Sequence, residues 1–571
     1  MIKASSHRAF AIIILFVLIS AILLPRIIEL DRFVTVDEPA WLIFSSNFYY
    51  ALGQRDFEKT VYDYHPGVTT MWIVTAGILT YFPQFRGQGQ GYIEKYRDYD
   101  QVFAAFDKYP LELLKKSRLI SILTISMLLI ISYGLLRRLH GEAIAFVAIF
   151  LVAFDPYFLG HSRLLNHEGM MSSLLLASML AALVFIEQNP HWSFWVLSSF
   201  FAGLAILTKS PSIIIIPMVG LMLFLKYFKQ WKELKQPVVW KYYFLLMLVF
   251  TGFICITFVI LWPGMWVNPG KMLYGTFGNA LSYAFQGARL SVAKELNPNQ
   301  FGLDLNGIGT YFGGLVWRTT PVTWLGVLIA CLGCLTKDRY SFSPVLKRSI
   351  LYFGLLSVLF LLMFGIAKGR NAPHYIITSY VFLEMVAGIG IVGGCRWLGG
   401  KVKFFNRSWI IIALVTSFLG IQIASAVSQF PYYYTYVNPL VEFFNKDNLN
   451  VGYGEGLEKA GEYLSQKPNA RELTAISWFG YGPFSYYFSG QSIHMPPTTT
   501  TMELSLLENI SQSDYLVVYD IIQKRTHRPS LLMDALTGVS PEKIIKINGL
   551  DYVSIYKVSD LPSSLFKSLN R

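Results

Sequence analysis

The sequence predicts an α-helical polytopic membrane protein with a small α/β domain toward its C-terminal end. Three observations carry that prediction. The 571 residues are 54% apolar and 15% charged, whereas soluble domains carry about 25% charged residues. Mean hydropathy is +0.44. Apolar runs of membrane-crossing length recur as far as residue 427, after which charge density rises and the runs shorten. These values exclude a disordered chain, a collagen-like fibre and an ordinary water-soluble globule. Lys and Arg number 48 against 35 Asp and Glu, a net +13. In a membrane protein that excess belongs to cytoplasmic loops, so it gives no support to nucleic acid as a partner.

A span needs about 20 mostly apolar residues. Eleven segments qualify: 9–28, 118–136, 143–160, 169–186, 192–208, 211–228, 242–262, 321–336, 349–366, 374–395 and 409–427. Lys3 and Arg8 precede the first, which favours a cytoplasmic N-terminus. The loops 137–140, 226–241, 337–348 and 396–407 then fall inside and hold 15 Lys and Arg, against 4 in the short outer turns 161–168, 209–210 and 367–373. That bias has the sign the positive-inside rule requires. An odd number of spans places residues 428–571 outside the cytoplasm. The expected organisation is a transmembrane domain, 1–427, with outer loops 29–117 and 263–320, and an extracytoplasmic α/β domain, 428–571, the whole resident in the cell membrane. All four cysteines (Cys255, Cys331, Cys334 and Cys395) lie in apolar runs, so no disulfide framework is expected.

Within the outer loops, Met71–Phe82 and Leu273–Phe285 read as helices at the membrane interface, with Trp72, Tyr81 and Tyr274 near the headgroups. In the last segment, Gly456–Ser465 and Glu503–Ile510 read as helices. Leu473–Trp478 and Tyr515–Tyr519 read as strands, and Ile544–Asn548 with Tyr552–Val558 as a closing strand pair. Gly388-Ile389-Gly390-Ile391-Val392-Gly393 matches GxGxxG, but it sits inside an apolar span with no strand before it, so close helix packing is its expected role.

Ionisable residues at membrane depth are costly and mark function. Several reach the outer side: Asp37 and Glu38 after the first span, His65 in the following loop, Asp155 at the end of the third span, Arg163, His167 and Glu168 in the next turn, Lys209 in a very short turn, and Lys368, Arg370 and His374 before the tenth span. Carboxylates beside several cations suit acid–base chemistry on a phosphate-bearing substrate. Each also has a structural reading. Asp37 suits a helix cap, Asp155 a turn before proline, Glu168 a partner of Arg163 five residues earlier, and Lys209 a snorkel to headgroups. Glu384, near the middle of the tenth span, requires a partner or a wet cavity.

Asp37-Glu38 after the first span resembles the signature of the membrane glycosyltransferases that use polyprenyl-phosphate sugars, among them the protein O-mannosyltransferases (glycosyltransferase family 39) and the lipid A aminoarabinose transferases. Ser162-Arg163-Leu164-Leu165-Asn166-His167-Glu168 is similar to the family's Ser-Arg pattern, with Glu where Asp is more usual. Leu207-Thr208-Lys209 resembles its Leu-Thr-Lys turn, and Pro263-Gly264-Met265-Trp266-Val267-Asn268-Pro269 its Pro-x-x-Trp-x-x-Pro stretch. The run from Pro431 to Leu440, followed by Gly452-Tyr453-Gly454-Glu455-Gly456-Leu457, resembles a stretch of bacterial members. The resemblance covers residues 30–460 in order. No segment is long enough for the β-trefoil insert of the mannosyltransferases.

The resemblance implies a GT-C fold of about 11 transmembrane helices. It implies an inverting transfer of a sugar from a polyprenyl-phosphate donor to a protein, lipid or glycan hydroxyl at the outer face. Asp37, Glu38 and Glu168 are then the catalytic candidates. Arg163, Lys209, Arg370, His65 and His374 are the candidates for the donor phosphate. No cofactor is required by this reading; Glu168 orients the acceptor or a divalent cation, and no metal ligand set is assigned. The rival class is a transporter or flippase of a lipid-linked or anionic solute, which accounts for the membrane charges but has no need of Asp37-Glu38 or a folded outer domain.

Overall fold

A computed structural model of the chain describes residues 2–62, 65–188, 191–235, 237–336, 342–368, 372–441, 452–495, 504–521 and 531–566. Arg370 lies outside the described residues. The chain divides into two compact units that do not follow chain order. The first comprises Met1–Ile28, Ala51–Ile73 and Arg118–Val441; the second comprises Glu29–Tyr50, Val74–Ser117 and Glu442–Arg571. The second unit thus draws two stretches from the expected outer loop 29–117 in addition to the C-terminal segment.

The first unit is helical. Among the described residues, seven helices are long and apolar enough to cross a membrane: Pro110–His140, which begins in the second unit, then His167–Gln188, Ser210–Glu233, Val238–Leu261, Pro344–Gly365, Pro373–Lys401 and Ser408–Val427. Two further candidates are bent pairs, Glu142–Ala153 with Pro156–Ser162 at 68° and Asn306–Arg318 with Pro321–Leu335 at 108°. The expected spans 9–28 and 192–208 correspond to shorter apolar helices, Ile12–Ile27 and Ser193–Thr208. Every expected span therefore falls on a helix, but not every one is a single helix of crossing length.

The breaks have local causes. Pro156 and Pro321 each open a helix, where a missing N–H costs nothing. The residues before them cap it: Asp155 accepts from Phe158 N at 2.7 Å and Thr320 from Thr323 N at 3.3 Å. A capped proline start lets the chain resume as a helix in a new direction. Ser193–Thr208 stops where Lys209 turns extended (φ −152°, ψ 127°) ahead of Pro211.

The centre of this unit is Pro373–Lys401, whose apolar window is wholly buried, beside His167–Gln188, 94% buried. The GxGxxG run lies here and serves packing. A Cβ on Gly390 would stand 1.9 Å from the Gly326 carbonyl oxygen, and one on Gly388 2.4 Å from Ala148 Cα. Helix backbones in near contact exclude any side chain at these positions. Glu384 lies on the same helix, four residues before this run. Its Oε1 accepts from Thr323 Oγ1 at 2.6 Å and from Gln422 Nε2 at 3.3 Å.

The second unit contains a five-stranded sheet: β1 (Thr474–Trp478), β2 (Gln491–Met495), β3 (Tyr515–Val518), β4 (Lys543–Ile547) and β5 (Leu550–Lys557), in the order β2-β1-β3-β5-β4. The first three are parallel, while β5 runs antiparallel to β3 and to β4. Strand β3, Tyr-Leu-Val-Val, is buried throughout and apolar, as strands covered on both faces are, and β1 is buried from Ala475 to Trp478 with Ser477 among its apolar residues. Helices Leu457–Ser465 and Leu504–Ser511 stand close to the expected positions. Strand β2 is the unexpected one; its Gln-Ser-Ile-His-Met sequence and half-exposed pattern belong to a sheet edge. In the loop before residue 117, Val68–Tyr81 is an apolar helix, as expected, and Tyr96–Ala104 adds a helix that no apolar run announces.

Candidate active site

The first unit gathers a group of buried charges around Glu168. This residue is the second of the helix His167–Gln188, whose start is fixed by Asn166 Oδ1 accepting from Glu168 N at 2.8 Å. Gly169 makes the entry tight: a Cβ there would lie 2.9 Å from Ser162 Cα. Lys209, leaving Ser193–Thr208 in an extended conformation, donates from Nζ to Glu168 Oε1. Both are nearly fully buried, and the ammonium lies 4.7 Å from the centre of the Tyr375 ring. His374 Nε2 stands 4.0 Å from the same carboxylate oxygen. The ring of His65 lies 6.1 Å from that of His167. Gly67 N, donating to Thr208 O at 3.3 Å, ties this segment to the Lys209 turn.

The structure thus brings together Glu168, Lys209 and His374, with His65 at their edge through His167. The cation of Glu168 is Lys209, 41 residues away, rather than the nearby Arg163. Arg163 is taken up by backbone: Nη2 donates to Ile28 O at 2.5 Å and Nη1 to Pro431 O at 3.2 Å, with the Tyr433 ring 5.4 Å from its carbon. Lys209 does not snorkel, since it is buried among protein groups. Two residues escaped the sequence reading. The ring of His161 lies 5.8 Å from that of His374 and 5.4 Å from that of Tyr434. Arg318 is buried, donates to Tyr434 O at 2.6 Å and sits 4.7 Å over the Tyr157 ring. An arginine at the end of an apolar helix was the signal available for it.

Asp37 and Glu38 belong to the second unit and differ sharply in setting. Asp37 occupies the N-cap of the helix Glu38–Gln54, its carbonyl accepting from Trp41 N at 3.2 Å. Its side chain is exposed and accepts a hydrogen bond from the Tyr453 hydroxyl. Glu38 is fully buried, and its Oε2 accepts from Thr35 N at 2.8 Å and Thr35 Oγ1 at 3.0 Å. Both bonds run from Thr35 to the carboxylate three residues on, so Glu38 ties down the segment that leads into its helix. Of the two acids, Asp37 is the exposed one.

Among the described residues no group of three or more His, Cys, Asp or Glu is arranged to hold a metal ion. What the first unit offers instead is a desolvated carboxylate compensated by an ammonium and flanked by imidazoles. Such a group is costly to leave unpaired, and its cations can be shared with an entering anion.

Residues 113–258 match the family described as dolichyl-phosphate-mannose-protein mannosyltransferase. That stretch, roughly a quarter of the chain, carries Asp155, Arg163, Glu168 and Lys209. Among solved structures the chain is similar to ArnT from Cupriavidus metallidurans bound to undecaprenyl phosphate, with 12% identity, TM-score 0.46, and coverage of 96% of this chain and 98% of that one. It is similar to the same protein in the apo state at 14% identity and TM-score 0.44, covering 98% and 99%. It is also similar to the archaeal oligosaccharyltransferase AglB from Archaeoglobus fulgidus in complex with an inhibitory peptide and a dolichol-phosphate, at 12% identity and TM-score 0.45, covering 91% and 70%. No curated protein sequence matches the chain.

Proposed function

We propose that this chain is an inverting glycosyltransferase that moves a sugar from a polyprenyl-phosphate donor to an acceptor hydroxyl at the outer face of the membrane. The observation that carries the reading is the buried Glu168–Lys209–His374 group, assembled largely within the stretch that matches the mannosyltransferase family. A lipid-linked donor keeps its tail in the bilayer, so its phosphate needs cations at membrane depth and no nucleotide pocket. Lys209 and His374, with His65 nearby, supply donors to that phosphate. Arg370 retains the same assignment from sequence. Arg163 acts through the carbonyls it holds, shaping the turn that carries Glu168.

Asp37 is assigned the role of base. It accepts the acceptor hydroxyl's proton as that oxygen attacks the anomeric carbon. The bond from that carbon to the phosphate oxygen breaks, its electron pair leaves with the polyprenyl phosphate, and one displacement inverts the centre. Glu168 holds Lys209 in place and orients the acceptor. The acceptor, whether protein, lipid or glycan, is the open variable.

The test is incubation of the purified chain in lipid nanodiscs with radiolabelled dolichyl-phosphate mannose and undecaprenyl-phosphate glucose, alone and with peptide, lipid and glycan acceptors. Release of polyprenyl phosphate coupled to a labelled product is the expected result. Movement of a labelled lipid or anion across proteoliposomes, with no release from any donor, replaces this reading by a transporter.

A further inference from the structure

The stretch Gly452-Tyr453-Gly454-Glu455-Gly456 has no place yet in the chemistry, although it lies directly on the segment that bears Asp37. Tyr453 touches that segment twice: its carbonyl accepts from Val36 N at 3.2 Å and its hydroxyl donates to Asp37 Oδ2. Gly454 (φ +122°) presses against the same strand of chain, where a Cβ would lie 2.3 Å from Val34 O. No other residue fits that backbone without strain. The loop is held in shape by Glu455, fully buried. Its Oε1 accepts from Gly452 N at 3.0 Å and its Oε2 from Tyr453 N at 2.7 Å. Tyr519 completes the brace, its hydroxyl donating to Glu455 Oε2 at 3.3 Å while accepting from Gly454 N at 3.0 Å.

A buried carboxylate that spends both oxygens on the N–H groups of one tight loop fixes where the loop's half-buried side chain points. Here that side chain is Tyr453, and its hydroxyl ends on the carboxylate of Asp37; the Tyr96 phenol, on the helix Tyr96–Ala104, also faces that charge and is unchanged in the variants below. We infer that Tyr453 is a positioning residue for Asp37, and that Glu455 acts one step further back by holding Tyr453 in register. The inference rests on the reading of Asp37 as the base. A phenol donating to a carboxylate fixes its rotamer and favours its charged form, the form in which a base accepts a proton.

The consequence is a pH signature. Losing the donor disfavours the charged carboxylate, so the base stays protonated to higher pH. The acid limb of turnover then moves up. For the loss of one hydrogen bond to a charged group the expected shift is roughly one pH unit.

Two measurements on the full chain in nanodiscs test this. The first is the pH profile of turnover with radiolabelled dolichyl-phosphate mannose for the parent, Tyr453→Phe and Glu455→Gln. The second is the pH dependence of carbodiimide modification at Asp37, read by peptide mass spectrometry, which requires no donor. Tyr453→Phe should move both midpoints upward together and leave the KM for donor unchanged, with activity recovering at higher pH. Glu455→Gln should move them in the same direction and keep the measurement open if Tyr453→Phe fails to fold. A uniform fall in kcat at every pH with unmoved midpoints overturns the inference and leaves the transferase reading standing. A shifted carbodiimide midpoint in a protein that turns over no donor supports the Tyr453–Asp37 coupling and removes the transferase reading.

Discussion

Lys209 and Glu168 form an ion pair with both partners buried, joining the end of one apolar helix to the start of another across 41 residues of sequence. Desolvating two charges is repaid only when they stay together, and removing one leaves the other stranded. Lys209→Met should therefore destabilise the first unit by about 3–5 kcal/mol. The double variant Lys209→Met/Glu168→Gln, which strands no charge, should recover most of that in thermal unfolding. Binding of sugar-free polyprenyl phosphate should be lost in both, because the ammonium is gone in both. Equal binding by the double variant and the parent would remove Lys209 from the phosphate site.

Asp37 is exposed just before its helix, and Asp37→Asn keeps the side chain's shape, its suitability for the N-cap position and an oxygen that can accept from the Tyr453 hydroxyl. Folding should be unchanged while turnover falls by roughly 100-fold or more. Near-parental turnover would transfer the base role to another carboxylate.

Arg163 bridges Ile28 and Pro431 through their carbonyls. Arg163→Ala removes a buried guanidinium and its two hydrogen bonds, to the carbonyls of exposed Ile28 and half-buried Pro431, and should cost about 1–3 kcal/mol in stability. Donor affinity, measured below the lowered melting temperature, should stay within about threefold of the parent, since a 0.6 kcal/mol effect is all that such a change represents. A large loss of affinity in a well-folded Arg163→Lys variant would return Arg163 to the phosphate, as the sequence pattern suggests.

Asp100, on the helix Tyr96–Ala104, carries a pH dependence of its own. Burial pushes its carboxyl from the usual 3.8 up to about 7. The folded state then holds a proton that the unfolded chain has lost between about pH 4 and about pH 7. Stability should fall as pH rises through that window and level off above it. Asp100→Asn, uncharged throughout, should flatten the slope and raise the melting temperature of the second unit at neutral pH. A parental slope in the variant would assign the dependence to another group.

The spans were legible because length and apolarity are local properties of the chain, and so was the role of Gly388, Gly390 and Gly393, since no strand precedes them. The two bends were half visible: Pro156 and Pro321 mark them, but only packing sets their angles. The site was less legible. Its residue types stand out as charges in apolar surroundings, yet the pairing of Glu168 does not follow from sequence distance. Arg163 is nearer in the chain and turns instead to carbonyls. Arg318 and His161 join the group through Tyr434 and Asn166, partners that carry no signal of their own. Tyr453 meets Asp37 across 416 residues, beyond the reach of any local pattern. Strand β2 was missed for a related reason: an edge strand is licensed by its neighbour, here β1, more than by its own residues.

The second unit is assembled from three stretches of chain, 29–50, 74–117 and 442–571. During synthesis its first two stretches emerge long before the third. At ~5–20 residues per second the interval is on the order of tens of seconds. Throughout it the segment bearing Asp37 exists without Tyr453 and the sheet. The Asp37 segment is therefore completed late in synthesis: a chain cut short after Ser408–Val427 already holds Glu168, Lys209 and His374 but lacks Tyr453 and the whole sheet.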